Sequence, residues 1–217
     1  MDSDFWLSKW EAGQLGFHQE KINSRLKRHW GMKGLNGGAV LVPLCGKSKD
    51  MLWLAEQGHS VVGVEISETA CRDFFKETGL DYEESNDGRF IHFKSDSIEL
   101  LQGDIFALTE ADLPSVDVVY DRASLIALPP KMRRQYADHL SALLNTNDQI
   151  LLIGMDYDQN KMKGPPFSVT EKEVRTLFSN SFKIDRVDHS SGPDIVGNLS
   201  ERGLDTLTEK IYVMTKE

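Results

Sequence analysis

Chemistry in this chain is concentrated where a glycine turn and a carboxylate stand 19 residues apart, at Gly46 and Glu65. The run Val40-Leu41-Val42-Pro43-Leu44-Cys45-Gly46-Lys47-Ser48 leads, after one helix-length stretch, to Val61-Val62-Gly63-Val64-Glu65. An apolar strand, a tight turn, a helix and a second strand ending in an acid carry that acid to the ribose hydroxyls of a nucleotide-like ligand. A dinucleotide site asks for G-x-G-x-x-G, and this turn has one glycine. A phosphate loop asks for glycine five residues before Gly46, where Leu41 stands. The turn is poorly built for phosphates. An adenosine without phosphate suits it better, which points to S-adenosylmethionine.

In an open parallel sheet, ligands bind beyond the carboxyl ends of the strands. That rule gathers Leu44, Cys45 and Gly46 from the first strand and Glu65 from the second. Gly103-Asp104-Ile105-Phe106, Asp121-Arg122 and Asp156-Tyr157 follow from later ones. Glu65 is expected to accept from two ribose hydroxyls. Asp104 is expected to accept from the adenine amino group, with Ile105 on the ring; its plainer role is a helix N-cap. Arg122 presents a planar fork suited to a polar substrate, or else a structural ion pair with Asp121. Cys45 reads as a small buried thiol. The six histidines show no metal-ligand spacing, so no metal is expected.

The elements that must position these residues can be read from period and punctuation. Ala39–Leu44 and Ser60–Val64 are strands, with a helix over Ser48–Gln57 between them. Ser67 caps a helix to Thr78 that Gly79 ends. Phe90–Phe93 and Ile98–Leu101 form a hairpin or two short strands. Asp117–Tyr120 and Gln149–Met155 are further strands. Between them Pro130 opens a helix with Met132, Tyr136, Leu140 and Leu144 on one side. Thr170 and Glu173 make a capping box. Phe182–Asp188 and Lys210–Thr215 lack a helix-length crossover and predict an antiparallel edge pair. Ser190–Arg202 reads as a loop. Ile22, Leu26 and Trp30 predict a helix over Gln19–Lys33. Trp6, Trp10 and Phe17, interrupted by Gly13 and Gly16, predict an aromatic lid. The fold class is α/β: a Rossmann-like, mostly parallel sheet with an antiparallel edge pair and helices on both faces. The expected organisation is a single domain over 1–217, with lid and helix in 1–35 and the core in 39–217.

Composition bounds the partners. With 217 residues, 40% hydrophobic and a net charge of −9, the chain is globular material with no basic surface for a nucleic acid. Two cysteines without a CxxC pair fit a reducing cytoplasm. The start, MDSDFWLSKWEAG, has neither a basic region nor an apolar core. No stretch approaches the roughly 18 apolar residues that span a bilayer. A monomer is the expectation.

The segments DFWLSKWEAGQLGFHQ (4–19), VLVPLCGKSKDMLWLAEQGHSVVGVEIS (40–67), GDIFAL (103–108), YDRASLIALPP (120–130), YDQNKMKGPPFSV (157–169) and EKIYVMTKE (209–217) together resemble the thiopurine S-methyltransferase family of class I methyltransferases. The resemblance covers nearly the whole chain. It implies methyl transfer from S-adenosylmethionine to the sulfur of an aromatic or heterocyclic thiol. It places Trp10, Leu44, Glu65 and Arg122 at the cofactor, Asp104 and Ile105 at adenine, and Trp6 and Phe17 in the lid. A substrate-side arginine of mammalian relatives falls at Asn198, with Arg202 close by. Bacterial members are also linked to selenium and tellurium methylation, which stands as the alternative substrate class. From the residues alone, a nicotinamide oxidoreductase and a non-enzymatic adenosine sensor are the rivals. The sulfonium carries the activation, so no general base is assigned.

Overall fold

Five consecutive apolar residues, each buried, make β1 (Ala39–Pro43) a strand covered on both sides. The computed structural model describes residues 3–14, 18–35 and 38–217, which form two compact units, 1–119 and 120–217.

In the first unit, β1 pairs in parallel with β2 (Ser60–Glu65) from Ala39↔Ser60 to Pro43↔Val64. On its other side it meets β6 (Val118–Asp121) through Val40↔Val118 and Leu41↔Val119. β2 also pairs in parallel with β5 (Ile98–Gln102). The chain leaves β1 for β2 on one side and returns to β6 on the other, so strand order reverses at β1. The turn after β1 therefore opens on a topological switch point. α3 (Asp50–Glu56) crosses from β1 to β2. α4 (Glu68–Thr78) starts where Ser67 Oγ accepts from the Ala70 amide and ends at Gly79, φ 69°. Ahead of β1 lie α1 (Ser3–Glu11) and α2 (Ser24–His29).

Two expectations change here. The helix expected over Gln19–Lys33 is only α2. Asn23 accepts from the Arg25 and Leu26 amides and so fixes its start, and Gly31 at φ 83° stops it ahead of a 3-10 turn, Met32–Gly34. The expected hairpin is β4 (Ile91–Lys94) against β5, but a further strand, β3 (Glu83–Asn86), pairs with β4. All four residues of β3 are exposed and polar, so no apolar alternation announced it. The first unit's order is β3-β4-β5-β2-β1-β6.

The second unit holds α5 (Ser124–Ala127), α6 (Pro130–Leu143), β7 (Gln149–Asp156), α7 (Glu171–Phe178), β8 (Phe182–Gly192) and β9 (Leu207–Lys216). α6 has proline at its first position, and Thr170 Oγ1 accepts from the Glu173 amide to start α7. β9 runs antiparallel between β7 and β8, which is the expected edge pair. The stretch expected as a loop over Ser190–Arg202 is partly regular: β8 continues to Gly192, and 3-10 turns occupy Pro193–Ile195 and Gly197–Arg202. Backbone pairing with β9, rather than apolar pattern, extends β8. Among the described residues, no helix is long and apolar enough to cross a membrane.

Candidate functional site

Beyond Pro43 the backbone takes left-handed conformations at Leu44 (φ 46°) and Gly46 (φ 53°). For a leucine this costs roughly 1–2 kcal/mol. Surrounding bonds hold the turn in place. The Cys45 amide donates to the Val64 carbonyl at 3.0 Å, and the Ser48 amide to the Cys45 carbonyl at 3.2 Å.

Glu65 is the hub. Its Oε2 accepts from the Gly46 amide at 2.9 Å and its Oε1 from the Ser67 amide at 2.9 Å. Its carbonyl accepts from the Gly103 amide at 2.9 Å. One residue thus joins the turn after β1, the start of α4 and the segment after β5. Its side chain is 6% exposed. Burial pushes its carboxyl pKa up, and the Ser67, Gly46 and Ile66 amides oppose that rise. A carboxylate has about four acceptor sites, more than the Gly46, Ser67 and Ile66 amides occupy. Acceptor capacity is left over for a hydroxyl of a diol. The acceptor set therefore fits the ribose of S-adenosylmethionine.

Trp10, at the end of α1, is buried over this turn. A Cβ placed on Gly46 would stand 3.1 Å from its Cζ2. Trp6 is half-buried and meets Phe5 edge to face at 5.3 Å. Phe17, expected in the lid, lies outside the described residues. Ile105 is buried, and Asp104 Oδ1 accepts from the Phe106 amide at 3.0 Å, so the plainer capping role of Asp104 is present. Cys45 Sγ packs where a Cβ on Gly63 would come within 2.7 Å of it, and burial pushes its thiol pKa well up. The sequence missed Lys47, which is 8% exposed with its ammonium 2.5 Å from Glu77 and 3.9 Å from Asp73, both on α4.

In the second unit, Asp121 is buried and fully employed. Its Oδ1 accepts from the Ser124 and Leu125 amides and its Oδ2 from the Tyr136 hydroxyl at 2.8 Å. Burial pushes its pKa up. Arg122 beside it is half-buried. Arg202 donates to the Pro165 carbonyl at 2.7 Å, and Lys161 pairs with Asp205 at 2.6 Å. Tyr157 donates to the Pro166 carbonyl at 2.6 Å. Arg133, 1% exposed, reaches the Leu128 and Ser168 carbonyls and Glu173. Tyr157 is gathered at a strand end from sequence without a specific role, and Arg133 is not gathered at all; an arginine on a helical stretch reads as a solvated face, and only its tertiary partners reveal otherwise. Among the described residues, no three His, Cys, Asp or Glu side chains are grouped to hold a metal ion.

Comparison with known proteins covers the same residues. The family described as Thiopurine S-methyltransferase (TPMT) matches residues 1–217. A thiopurine S-methyltransferase of Pseudomonas entomophila is 46% identical over 217 residues, all of both chains. One of Azotobacter vinelandii is 45% identical over 216 residues, 98% of each chain. Among solved structures, a methyltransferase from Anabaena variabilis dependent on S-adenosylmethionine superposes with a TM-score of 0.68 at 13% identity, covering 99% of this chain and 95% of that one. The Burkholderia thailandensis 1,6-didemethyltoxoflavin-N1-methyltransferase, with bound S-adenosylhomocysteine, gives 0.66 at 16% identity, with 99% and 86% covered. These two likenesses show the expected Rossmann-like fold.

Proposed function

The chain belongs to the thiopurine S-methyltransferase family and is an S-adenosylmethionine-dependent methyltransferase; from that premise we propose that it methylates the sulfur of aromatic or heterocyclic thiols. The observation that carries the reading is the Glu65 carboxylate, buried, tied to Gly46 and Ser67, and with acceptor capacity left over. The rival nicotinamide oxidoreductase and adenosine sensor give way to the family assignment.

When bound, S-adenosylmethionine supplies an electrophilic methyl on a sulfonium. The chain's own residues bind, orient and exclude water. Glu65 holds the ribose diol, and Asp104 and Ile105 hold adenine. Leu44 shapes the turn beside the ligand. Trp10, with Trp6 and Phe17 in the lid, presents aromatic faces to the cationic end and keeps water away. Arg122 favours the anionic thiolate, and Arg202 borders the acceptor. Heterocyclic thiols ionise near neutrality, so alignment of thiolate and methyl suffices without a general base. The 217 residues act as one catalytic domain, as a monomer in the cytoplasm, with a small-molecule thiol and no nucleic acid as partner.

The test is incubation with radiolabelled S-adenosylmethionine and a panel of aryl and heterocyclic thiols beside selenium and tellurium oxyanions. Label in thioether products supports the proposal. Label only in volatile selenium or tellurium products overturns it.

A further inference from the structure

The segment that follows β5 is held from outside the parallel sheet, at both of its ends, by one turn of the edge hairpin. Asp87 shapes that turn. Its Oδ1 accepts from the Arg89 amide at 2.8 Å and from the Phe90 amide at 2.7 Å. The turn presents two adjacent side chains to residues 103–112. Phe90, 1% exposed, packs its ring against the backbone of Gly103: a Cβ there would stand 2.5 Å from its Cδ1, and 3.1 Å from the Arg89 carbonyl. Any larger residue at 103 would drive the two strands of chain apart.

Arg89 reaches the other end. Its Nη1 donates to the Ala107 carbonyl at 3.3 Å and to Asp112 Oδ2 at 3.0 Å, and its Nη2 donates to Asp112 Oδ1. The planar fork makes this possible, because a carboxylate and a carbonyl are engaged by one side chain. Asp112 is further fixed by the Thr109 amide at 2.8 Å and the Thr109 hydroxyl at 2.7 Å. Arg89 holds the Asp112 carboxyl down at about 2, so the pair stays charged at any pH used for assay. Between these anchors lie Asp104 and Ile105, with the Gly103 amide bonded to the Glu65 carbonyl.

We infer that Arg89 is a positioning residue for the adenine end of the donor site, clamping residues 103–108 at the height and tilt that Asp104 and Ile105 need. The inference rests on the assignment of Asp104 and Ile105 to adenine, and it gives the exposed β3–β4 edge a task in binding. The Arg89 side chain is half exposed, and solvent screening there limits what the pair adds to global stability, so the clamp acts on local geometry.

The experiment compares two ligands by calorimetry: S-adenosylhomocysteine and S-ribosylhomocysteine, which has the ribose and amino-acid parts but no adenine. Arg89→Met keeps an unbranched apolar side chain and removes every donor, along with the guanidinium that lies 5.7 Å from the Phe90 ring centre. It should weaken S-adenosylhomocysteine about tenfold while leaving S-ribosylhomocysteine within about twofold. Arg89→Lys keeps Asp112 paired and should recover part of the loss. The KM for the donor should rise with Arg89→Met while kcat and the KM for the thiol hold. Asp104→Ala separates the two readings. Loss with Asp104→Ala but none with Arg89→Met overturns the clamp alone. No loss with either overturns the adenine assignment beneath it. Equal loss on both ligands overturns the clamp in favour of general loosening.

Discussion

The turn around Glu65 and the loops around Tyr157 are built by opposite means. The first is backbone bonded to a buried carboxylate, under a tryptophan. The second joins residues 157–168 to 193–207 over a small apolar cluster of Tyr157, Met162, Val196, Leu204 and Leu207. Its polar ties are a guanidinium on the Pro165 carbonyl and the exposed Lys161–Asp205 pair. Buried backbone bonds admit little adjustment. Surface ties over a small cluster can be rearranged at small free-energy cost. On the proposed reading, the methyl donor is the same molecule in every turnover and thiol acceptors differ in shape, so rigidity at one region and adjustability at the other would suit the two ligands.

The sharpest way to break this contrast is Glu65→Ala. It removes two charge-assisted hydrogen bonds to ribose, so calorimetry should show S-adenosylhomocysteine affinity lower by about 2–4 kcal/mol. It also strands the Gly46 and Ser67 amides, so the melting temperature should fall. Wild-type affinity in this variant would move the ribose elsewhere and dissolve the comparison.

Acidification is the next largest effect. The Glu65 pKa is raised by burial above its ordinary value of 4.5. An acid with a raised folded pKa destabilises the fold only while charged, so this group adds stability as pH falls through its folded pKa. The ribose-accepting anion is lost over the same interval. Donor affinity should therefore decline with falling pH from above 4.5, while thermal stability shows no loss traceable to Glu65. Affinity that stays flat down to the range of an ordinary carboxylate would contradict this.

Arg122→Lys keeps the charge and loses the fork. Turnover should fall about tenfold with little movement of the melting temperature. If stability drops and turnover does not, Arg122 is an ion-pairing residue and the acceptor reading loses its anchor.

The smallest effect is expected at Lys161→Ala. Removing this exposed pair with Asp205 should change unfolding free energy by less than about 1 kcal/mol. The KM for bulky thiols should shift more than the KM for small ones. A uniform shift across a thiol panel would mean that the loops do not discriminate.

Legibility in the sequence followed the same division. Glu65 was found because strand, turn, helix and strand impose a spacing, and that spacing survives in one dimension. Its bonds to Gly46 and Ser67 follow from the same local geometry. β3 was not legible, since Glu83–Asn86 is polar throughout and exists as a strand only through pairing with β4. Nor was the true length of α2, where the Asn23 cap and Gly31 cut short at both ends the helix that the apolar repeat predicts. Arg202 was legible as a residue of interest, but its bond to Pro165 depends on a partner 37 residues away. Arg133 and Glu173 meet across 40 residues, and no periodicity signals such a meeting.

Lys47 bears on selection among the adenosine compounds of a cell. Most adenosine there is attached to phosphate, and a Gly-Lys-Ser turn with an available ammonium would gather those nucleotides in competition with a sulfonium ligand. In this chain the ammonium is already neutralised, against Glu77 at 2.5 Å and Asp73 at 3.9 Å. A nucleoside triphosphate shares the adenine and the ribose but would bring its negative charge to a turn whose lysine already faces two carboxylates. On the proposed placement of the donor, two acids on α4 disfavour the common adenosines through the part of them that the methyl donor lacks.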